Sequence, residues 1–416
     1  MAELRPLRAL RYDPAVAGDA SMLVAPPYDV VAGAARQALY DRSQYNVSRV
    51  DYGEGANRYE RAGRDLTIWE ERGVLTRDET PRLYVYDQEF AHDGKTYRRR
   101  AVFTALRLEE WEKGIVLPHE VTGDAAKADR FELLRATRVQ TSPVMALYRE
   151  DAASPPDEAL GKPVLDAVLP DERHTLRPVA QDAAEAFCRA LAPHKLYIAD
   201  GHHRYETALN YRNECRAAAT SWTGEEPENF ILVALISAAD PGLVVLPTHR
   251  LLKLEPFEIS LRKLRLFDLD DAGAIGDSNL KALLARLQRT HGPAYGAIGL
   301  EPGRMHLVTP RDVEAVVARA PRGHSDAWRR LDVTVLQYVV LPAVGFDEAP
   351  EHIDYTEHAD VAAEAVASGA WDVAFLLNPT PVSQVFAVAD AGERMPRKST
   401  FFFPKLATGV LMLPYD

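Results

Sequence analysis

Residues 196–205 read Leu-Tyr-Ile-Ala-Asp-Gly-His-His-Arg-Tyr. A run suited to a buried strand ends at Asp200, and Gly201 permits a sharp turn. Tyr205, Ala208 and Leu209 then fall at helical spacing. A strand that passes into a helix through one glycine needs a sheet to join and a layer for the helix to cover. An all-helical bundle and an all-strand sandwich are both excluded. The rest of the chain mixes strand and helix patterns in the same way. The expected fold class is therefore α/β (mixed α+β), built on one composite sheet core.

At 416 residues the chain exceeds one ordinary domain, and three sections are expected. Residues 1–98 read as an N-terminal α/β extension, with a strand over 7–12, a loop stiffened by Pro26 and Pro27, and two helical patterns. The clearer helix spans 57–72, where Tyr59, Ala62, Leu66 and Trp69 recur near helical spacing before Gly73. A hairpin over 83–90 and 97–108 turns at His92-Asp93-Gly94. Residues 99–250 read as the core, with helices over 124–137, 182–191 and 202–216 and strands over 145–148, 195–200, 231–236 and 243–246. Residues 151–178, rich in Pro, Asp and Ala, read as a loop excursion. Residues 251–416 read as a C-terminal α/β section, with helices over 259–269, 280–289, 332–341, 361–366 and 383–389. It also holds a hairpin at Glu301-Pro302-Gly303, a strand over 373–377 and a strand region over 400–414.

Charge narrows the partners. Lys and Arg number 49 against 61 Asp and Glu, a net charge of −12. Such a surface repels phosphate backbones, so nucleic acid is not an expected partner. A small local anion site is compatible with it. The N-terminal run is broken by Glu3, Arg5, Arg8 and Arg11, unlike a signal peptide. The longest apolar stretch, 230–239, is too short to span a membrane, so no membrane partner is expected. Cys188 and Cys215 have no partner at metal-ligand spacing and read as buried free thiols of a cytoplasmic protein.

Five segments could carry chemistry. In the first, His202, His203 and Arg204 fall in the first turn of a helix. Free N–H groups and the positive end of the helix dipole also lie there, which suits an anion. The plain alternative is a solvated helix start capped by Asp200. Adjacent histidines on a helix point apart and cannot easily share one metal ion. In the second, Glu120 of Pro118-His119-Glu120 sits on a loop before Gly123, where it is either a general base or an ordinary loop acid. In the third, Lys127 and Arg130 are one turn apart and form a cationic or simply solvated face. The fourth, Pro26-Pro27-Tyr28-Asp29, reads first as a stiff structural loop. The fifth, Pro396-Arg397-Lys398-Ser399-Thr400, either binds an anion or starts a strand.

Five motifs in order then resemble the bacterial and archaeal family called domain of unknown function 1015. They are Val24-Ala-Pro-Pro-Tyr-Asp-Val30, His119-Glu-Val-Thr122 with Lys127-Ala-Asp-Arg130, Ile198-Ala-Asp-Gly-His-His-Arg-Tyr-Glu-Thr207, Leu246-Pro-Thr-His-Arg250 and Met395-Pro-Arg-Lys-Ser-Thr400. That family is related to archaeal ADP-dependent free-serine kinases, to the nucleotide-binding domain of the partition protein ParB and to sulfiredoxin. The resemblance implies a ParB/sulfiredoxin-like nucleotide-binding core, an N-terminal extension and a long insert before the C-terminal segment. It implies phosphoryl transfer from ADP or ATP, with Mg²⁺, to a hydroxyl compound such as free serine. Glu120 would be the base beside His119. Asp200, Gly201, His202, His203 and Arg204 would hold the phosphates, joined by Lys127 and Arg130. Lys398, Ser399 and Thr400, with Tyr28 and Asp29, would face the substrate. The kinases' tail run has an Arg-His pair where this chain has Phe401 and Phe402, which leaves the acceptor open. A nucleotide-binding regulatory module, or another enzyme using the same anion pocket, are the alternatives.

Overall fold

The computed structural model describes residues 1–31, 33–149, 154–254, 264–346 and 350–416. The chain forms two compact units. The first comprises residues 1–118, 122–244 and 404–416; the second comprises 119–121 and 245–403. The fold is mixed α/β with several sheets.

The first unit is built on a nine-stranded sheet. Its order is Val116–Leu117, Leu196–Asp200, Val144–Tyr148, Phe230–Ser237, Lys95–Arg107, Tyr84–His92, Glu172–Pro178 and Leu165–Leu169, with Leu4–Arg5 pairing Lys95–Arg107. The expected hairpin turns at His92 and Lys95, with Asp93 and Gly94 at positive φ. One face of the sheet presents Val102, Leu106, Val144, Ala146, Leu196, Ile198, Val233 and Leu235. Two helices cover it: Gln181–Leu191 through Ala184, Phe187 and Leu191, and His202–Ala218 through Tyr205, Ala208 and Leu209. The boundary read between residues 98 and 99 falls inside the strand Lys95–Arg107, so the extension and the core share this sheet.

A smaller core forms where helix Arg58–Glu71 packs on helix Asp124–Thr137. Leu10, Tyr12, Leu23, Ala62, Leu66, Trp69, Leu133 and Met412 meet there. Gly63 makes the close approach possible, because a Cβ on it would stand 2.5 Å from the Ala136 carbonyl oxygen. The segment 404–416 laces this unit together. The Pro404 and Lys405 carbonyls accept from Arg99 and Gln88, the Gly409 N–H donates to Thr141 O, and Leu413–Pro414 pairs with Val139–Gln140.

The second unit holds a six-stranded antiparallel sheet. Its order is Phe267–Ala274, Arg304–Pro310, Tyr295–Ile298, Val373–Leu376, His249–Leu252 and Ile353–Thr356. The pleat sends successive side chains to opposite faces. Leu251, Ile298, Leu307, Ala374 and Leu376 meet helix Asp277–Gln288 through Leu280, Leu283 and Leu287. Leu252, Tyr295, Ala297, Val308, Val373 and Phe375 meet Trp328, Leu331, Leu336, Leu341, Val385 and Val388 on the other side. The boundary read at residue 250 falls inside the strand His249–Leu252.

Four expectations are corrected. Among the described residues there are two large sheets, one in each unit, rather than one composite core. Residues 165–178 form a hairpin rather than an excursion: Leu165–Leu169 and Glu172–Pro178 add the edge strands, turning at Asp171 with φ +61°. Only alternate residues of this hairpin are buried, so its apolar signal is weak. The helix read over 259–269 lies outside the described residues up to 263, and Phe267 begins a strand. In the tail, only Phe401–Phe403 and Leu413–Pro414 are strands, because the segment makes its bonds to scattered partners.

A buried carboxylate in an interior strand, Asp87 of Tyr84–His92, gathers three arginines. Asp87 accepts hydrogen bonds from Arg98, Arg100 and Arg177, with Arg98 and Arg100 projecting from the same side of one strand. Burial opposes its charge, yet the three guanidiniums overcome this and hold its pKa down to about 2. A depressed carboxylate contributes stability above its unfolded pKa and loses it as pH falls through the folded one. Urea titrations should therefore show stability falling between about pH 4 and pH 2. That slope should be shallower in Asp87→Asn, which should also be less stable at pH 7. Gly63→Ala should cost about 1–3 kcal/mol by overpacking, read from the same titrations.

Candidate functional site

In the first unit the strand Leu196–Asp200 delivers Asp200 to the start of helix His202–Ala218. Gly201 sits at φ +89°, and a Cβ there would meet the Arg204 guanidinium at 3.0–3.1 Å. Glycine is thus required twice, for the backbone and for the arginine folded back over it. No side chain caps this helix. Asp200 does not act as the cap, because its oxygens are taken by Arg204 at 2.6 Å and by Lys405. Burial would raise the pKa of Asp200, but Lys405 and Arg204 hold it well below the usual carboxylate range.

Arg204 also donates to the Ser142 hydroxyl at 3.1 Å and to the Pro143 carbonyl. His203 Nε2 accepts from the Gly123 N–H at 2.9 Å, which requires that nitrogen to be unprotonated. His202 is buried. The apparent crowd of cations at the helix start is therefore largely offset within the fold. Arg204 and Lys405 share one carboxylate, and His203 serves as an acceptor.

Lys127 and Arg130, one turn apart, reach different partners. The Lys127 ammonium lies 3.5 Å from Glu206, which also accepts from the Thr122 hydroxyl. Arg130 bonds Asp129 at 2.6 and 2.9 Å and Asp51 at 3.3 Å, with its face 4.1 Å from the Tyr28 ring centroid. Burial opposes the Arg130 charge, and Asp51 and Asp129 outweigh it. Tyr28 is pushed up to about 12, mainly by burial, and feels the charges of Arg204, Arg130, Asp29 and Asp200. Asp29 in turn supports the charge of Lys405.

Arg130 and Arg204 line one cavity of about 50 Å³ together with Asp51, Thr141, Ser142 and Thr207. The Thr207 hydroxyl has no hydrogen-bond partner, and the residue is only 3% exposed. The rest of the lining is largely apolar, with Leu133, Leu134, Val139, Val144 and Ile231, so the two arginines and Ser142 form a polar side of a small space that can hold an anion.

In the second unit His119, wholly buried, pairs its Nε2 with the Thr400 hydroxyl at 2.9 Å. The Glu120 carboxylate accepts the Lys398 N–H at 2.8 Å, and its carbonyl accepts from Arg394. The turn offering that N–H is tight, with Lys398 at φ +57°. Ser399 is buried and donates to the Pro396 carbonyl, while Thr380 donates to the Ser399 carbonyl. Arg250 is buried over Tyr355 and donates to the Lys398 carbonyl at 2.9 Å. The sequence-predicted residues thus fall into two groups. Tyr28, Asp29, Lys127, Arg130 and 200–204 belong to the first unit; His119, Glu120 and 398–400 belong to the second.

Sequence reasoning missed Lys405, Asp51, Ser142 and Thr207. A lysine set between Pro404 and the apolar Leu406 and Ala407 was the one available signal. The others are ordinary residues that only tertiary packing makes special. Lys405→Met should cost about 3 kcal/mol, because it removes one partner of a buried carboxylate. In a denaturant double-mutant cycle, the variant carrying both Lys405→Met and Asp200→Asn should lose less stability than the sum of the single losses.

The family described as "Protein of unknown function (DUF1015)" matches residues 4–334. No curated protein matches the chain. Among solved structures, a variant of a free serine kinase in complex with ADP is similar over 72% of this chain and 86% of its own, at 12% identity and a TM-score of 0.37. A conserved hypothetical protein from Pyrococcus furiosus is similar over 73% and 93%, at 14% identity and a TM-score of 0.34. SbnI from Staphylococcus aureus, truncated at its C-terminus, is similar over 73% and 84%, at 10% identity and a TM-score of 0.34.

Proposed function

The chain belongs to the DUF1015 family of proteins of unknown function, and we propose that this member binds a phosphorylated small molecule, a nucleotide such as ADP or ATP, and transfers phosphate to a hydroxyl compound. The observation that carries the reading is the cavity lined by Arg130 and Arg204 with Thr141, Ser142 and Thr207. Both arginines are already oriented by carboxylates, so little reorganisation accompanies phosphate binding. The helix start at His202 adds N–H groups that no side chain caps.

Glu120 is the proposed base for the acceptor hydroxyl. Its carboxylate is oriented by the Lys398 N–H, and His119, tied to Thr400, positions the loop. Among the described residues no group of three or more His, Cys, Asp or Glu side chains is placed to hold a metal ion. A Mg²⁺ accompanying the nucleotide would be carried by phosphate and water. One observation favours a second reading, a nucleotide-binding regulatory module without transfer. Glu120 and His119 are both engaged by the segment 394–400, as purely structural residues would be.

Calorimetry with ADP and ATP, and a transfer assay over a panel of hydroxyl compounds, test both readings. Arg204→Ala and Arg130→Ala should each weaken nucleotide binding by about tenfold or more. Glu120→Gln should abolish transfer and leave binding intact. Binding unchanged in both arginine variants sinks the phosphate assignment. Binding without transfer to any acceptor leaves the regulatory reading.

A further inference from the structure

Of the five motifs singled out in the sequence, Leu246-Pro-Thr-His-Arg250 has no part in the phosphate reading. It enters the strand His249–Leu252 of the second unit, whose other residues, Leu251 and Leu252, are apolar and buried. His249 and Arg250 are buried in the same strand, at 2% and 3% exposure. His249 has a local explanation. Burial and the charge of Arg250 hold its pKa down to about 4, and the neutral ring accepts the Leu377 N–H at 3.1 Å. Arg250 has no such explanation. Among the described residues no carboxylate pairs with its guanidinium, which donates to backbone carbonyls: Thr248, Lys398 at 2.9 Å and Arg397 at 3.4 Å. Burial pulls its pKa down to about 10, and Tyr355, Glu120 and Tyr295 offset only part of that. A buried cation without a carboxylate is costly, so what it holds matters.

It holds a turn. Lys398 sits at φ +57°, a conformation that side chains rarely adopt. Every carbonyl from Pro396 to Ser399 is taken. Pro396 accepts from the Ser399 hydroxyl, Arg397 and Lys398 accept from Arg250, and Ser399 accepts from the Thr380 hydroxyl at 2.8 Å. One terminal nitrogen of Arg250 bridges the two consecutive carbonyls while the other is tied to Thr248 at the strand, a task that suits a rigid guanidinium. The same turn gives its Lys398 N–H to Glu120 Oε1 at 2.8 Å. Arg250 therefore reaches the Glu120 carboxylate through one residue, and all of these groups belong to the second unit.

We infer that Arg250 is a positioning residue: by fixing the Arg397 and Lys398 carbonyls it aims the Lys398 N–H at Glu120, and so sets where that carboxylate meets an acceptor hydroxyl. The inference rests on the reading of Glu120 as the base and deepens it by naming what orients the base.

The test reads the turn and the reaction separately, on the full chain. Trypsin cleaves after Arg397 and Lys398, both exposed, so mass spectrometry of the cuts reports how firmly the turn is held. Arg250→Met should speed cutting there about tenfold, while cutting after Arg311, also exposed in the second unit, stays within about twofold. With an acceptor that the unmodified protein phosphorylates, kcat should fall about tenfold or more, and nucleotide affinity should stay within about twofold. A merely structural role would speed both cuts together and would not separate kcat from nucleotide affinity. Arg250→Lys keeps the charge, but one nitrogen cannot hold both Thr248 and the turn, so it should fall short by about threefold or more in both readouts. Should Arg250→Met not fold, Arg250→Lys and Tyr355→Leu, which removes the ring under the guanidinium, decide by the same two readouts. Unchanged kcat, or full rescue by Arg250→Lys, overturns the inference. Transfer to no acceptor by the unmodified protein, with the turn still cut faster in Arg250→Met, overturns the base reading and leaves Arg250 as the clamp of the turn. Unchanged cutting overturns the clamp whether or not transfer occurs.

Discussion

The Asp200 carboxylate, shared between Arg204 and Lys405, is the contact on which the first unit depends. It fixes the strand end, the first turn of the helix that follows, and the C-terminal segment some two hundred residues away in the chain. A carboxylate taken out of water is tolerable only when its partners are placed well. Here two cations meet it, and the fold spends its last thirteen residues, 404–416, on delivering one of them. The same segment bonds Arg99, Gln88, Thr141 and the Val139–Gln140 strand, so the lysine arrives on a backbone that is itself well held.

This arrangement alters the meaning of the histidine turn. Three potential cations at a helix N-terminus look like an unbalanced charge awaiting an anion. In the structure Arg204 is satisfied by Asp200, Ser142 and Pro143, and His203 accepts from Gly123. The proposed anion site lies instead at the small cavity lined by Arg204, Arg130, Thr141 and Ser142. Those arginines are held by carboxylates before any ligand arrives, which lowers the entropy lost on binding.

How much was legible followed signal strength. The helices Arg58–Glu71, Asp124–Thr137 and Gln181–Leu191 carry regular apolar stripes, and their ends fall within two residues of the pattern. The hairpin Leu165–Leu169 and Glu172–Pro178 was not seen, since an edge hairpin buries only alternate residues and lies in a stretch rich in proline and aspartate. The Arg98–Arg100 run alternates between faces, with Arg98 and Arg100 on Asp87 and Arg99 on Gln88 and Pro404. Its partner Asp87 was invisible, because cross-strand pairing joins residues that sequence distance does not relate.

The sequence by itself determined the local events: a strand that turns at Gly201, the helices with their stripes, and the segments where polar residues concentrate. These depend on backbone sterics and on periodicity within a few residues. Only the tertiary structure decided which charges are matched and which polar atoms are left over. Lys405 at Asp200, Arg130 at Asp51 and the orphan Oδ2 of Asp51 all arise from long-range packing. The energy of a buried polar group depends on partners brought from elsewhere in the chain, and no local pattern encodes them.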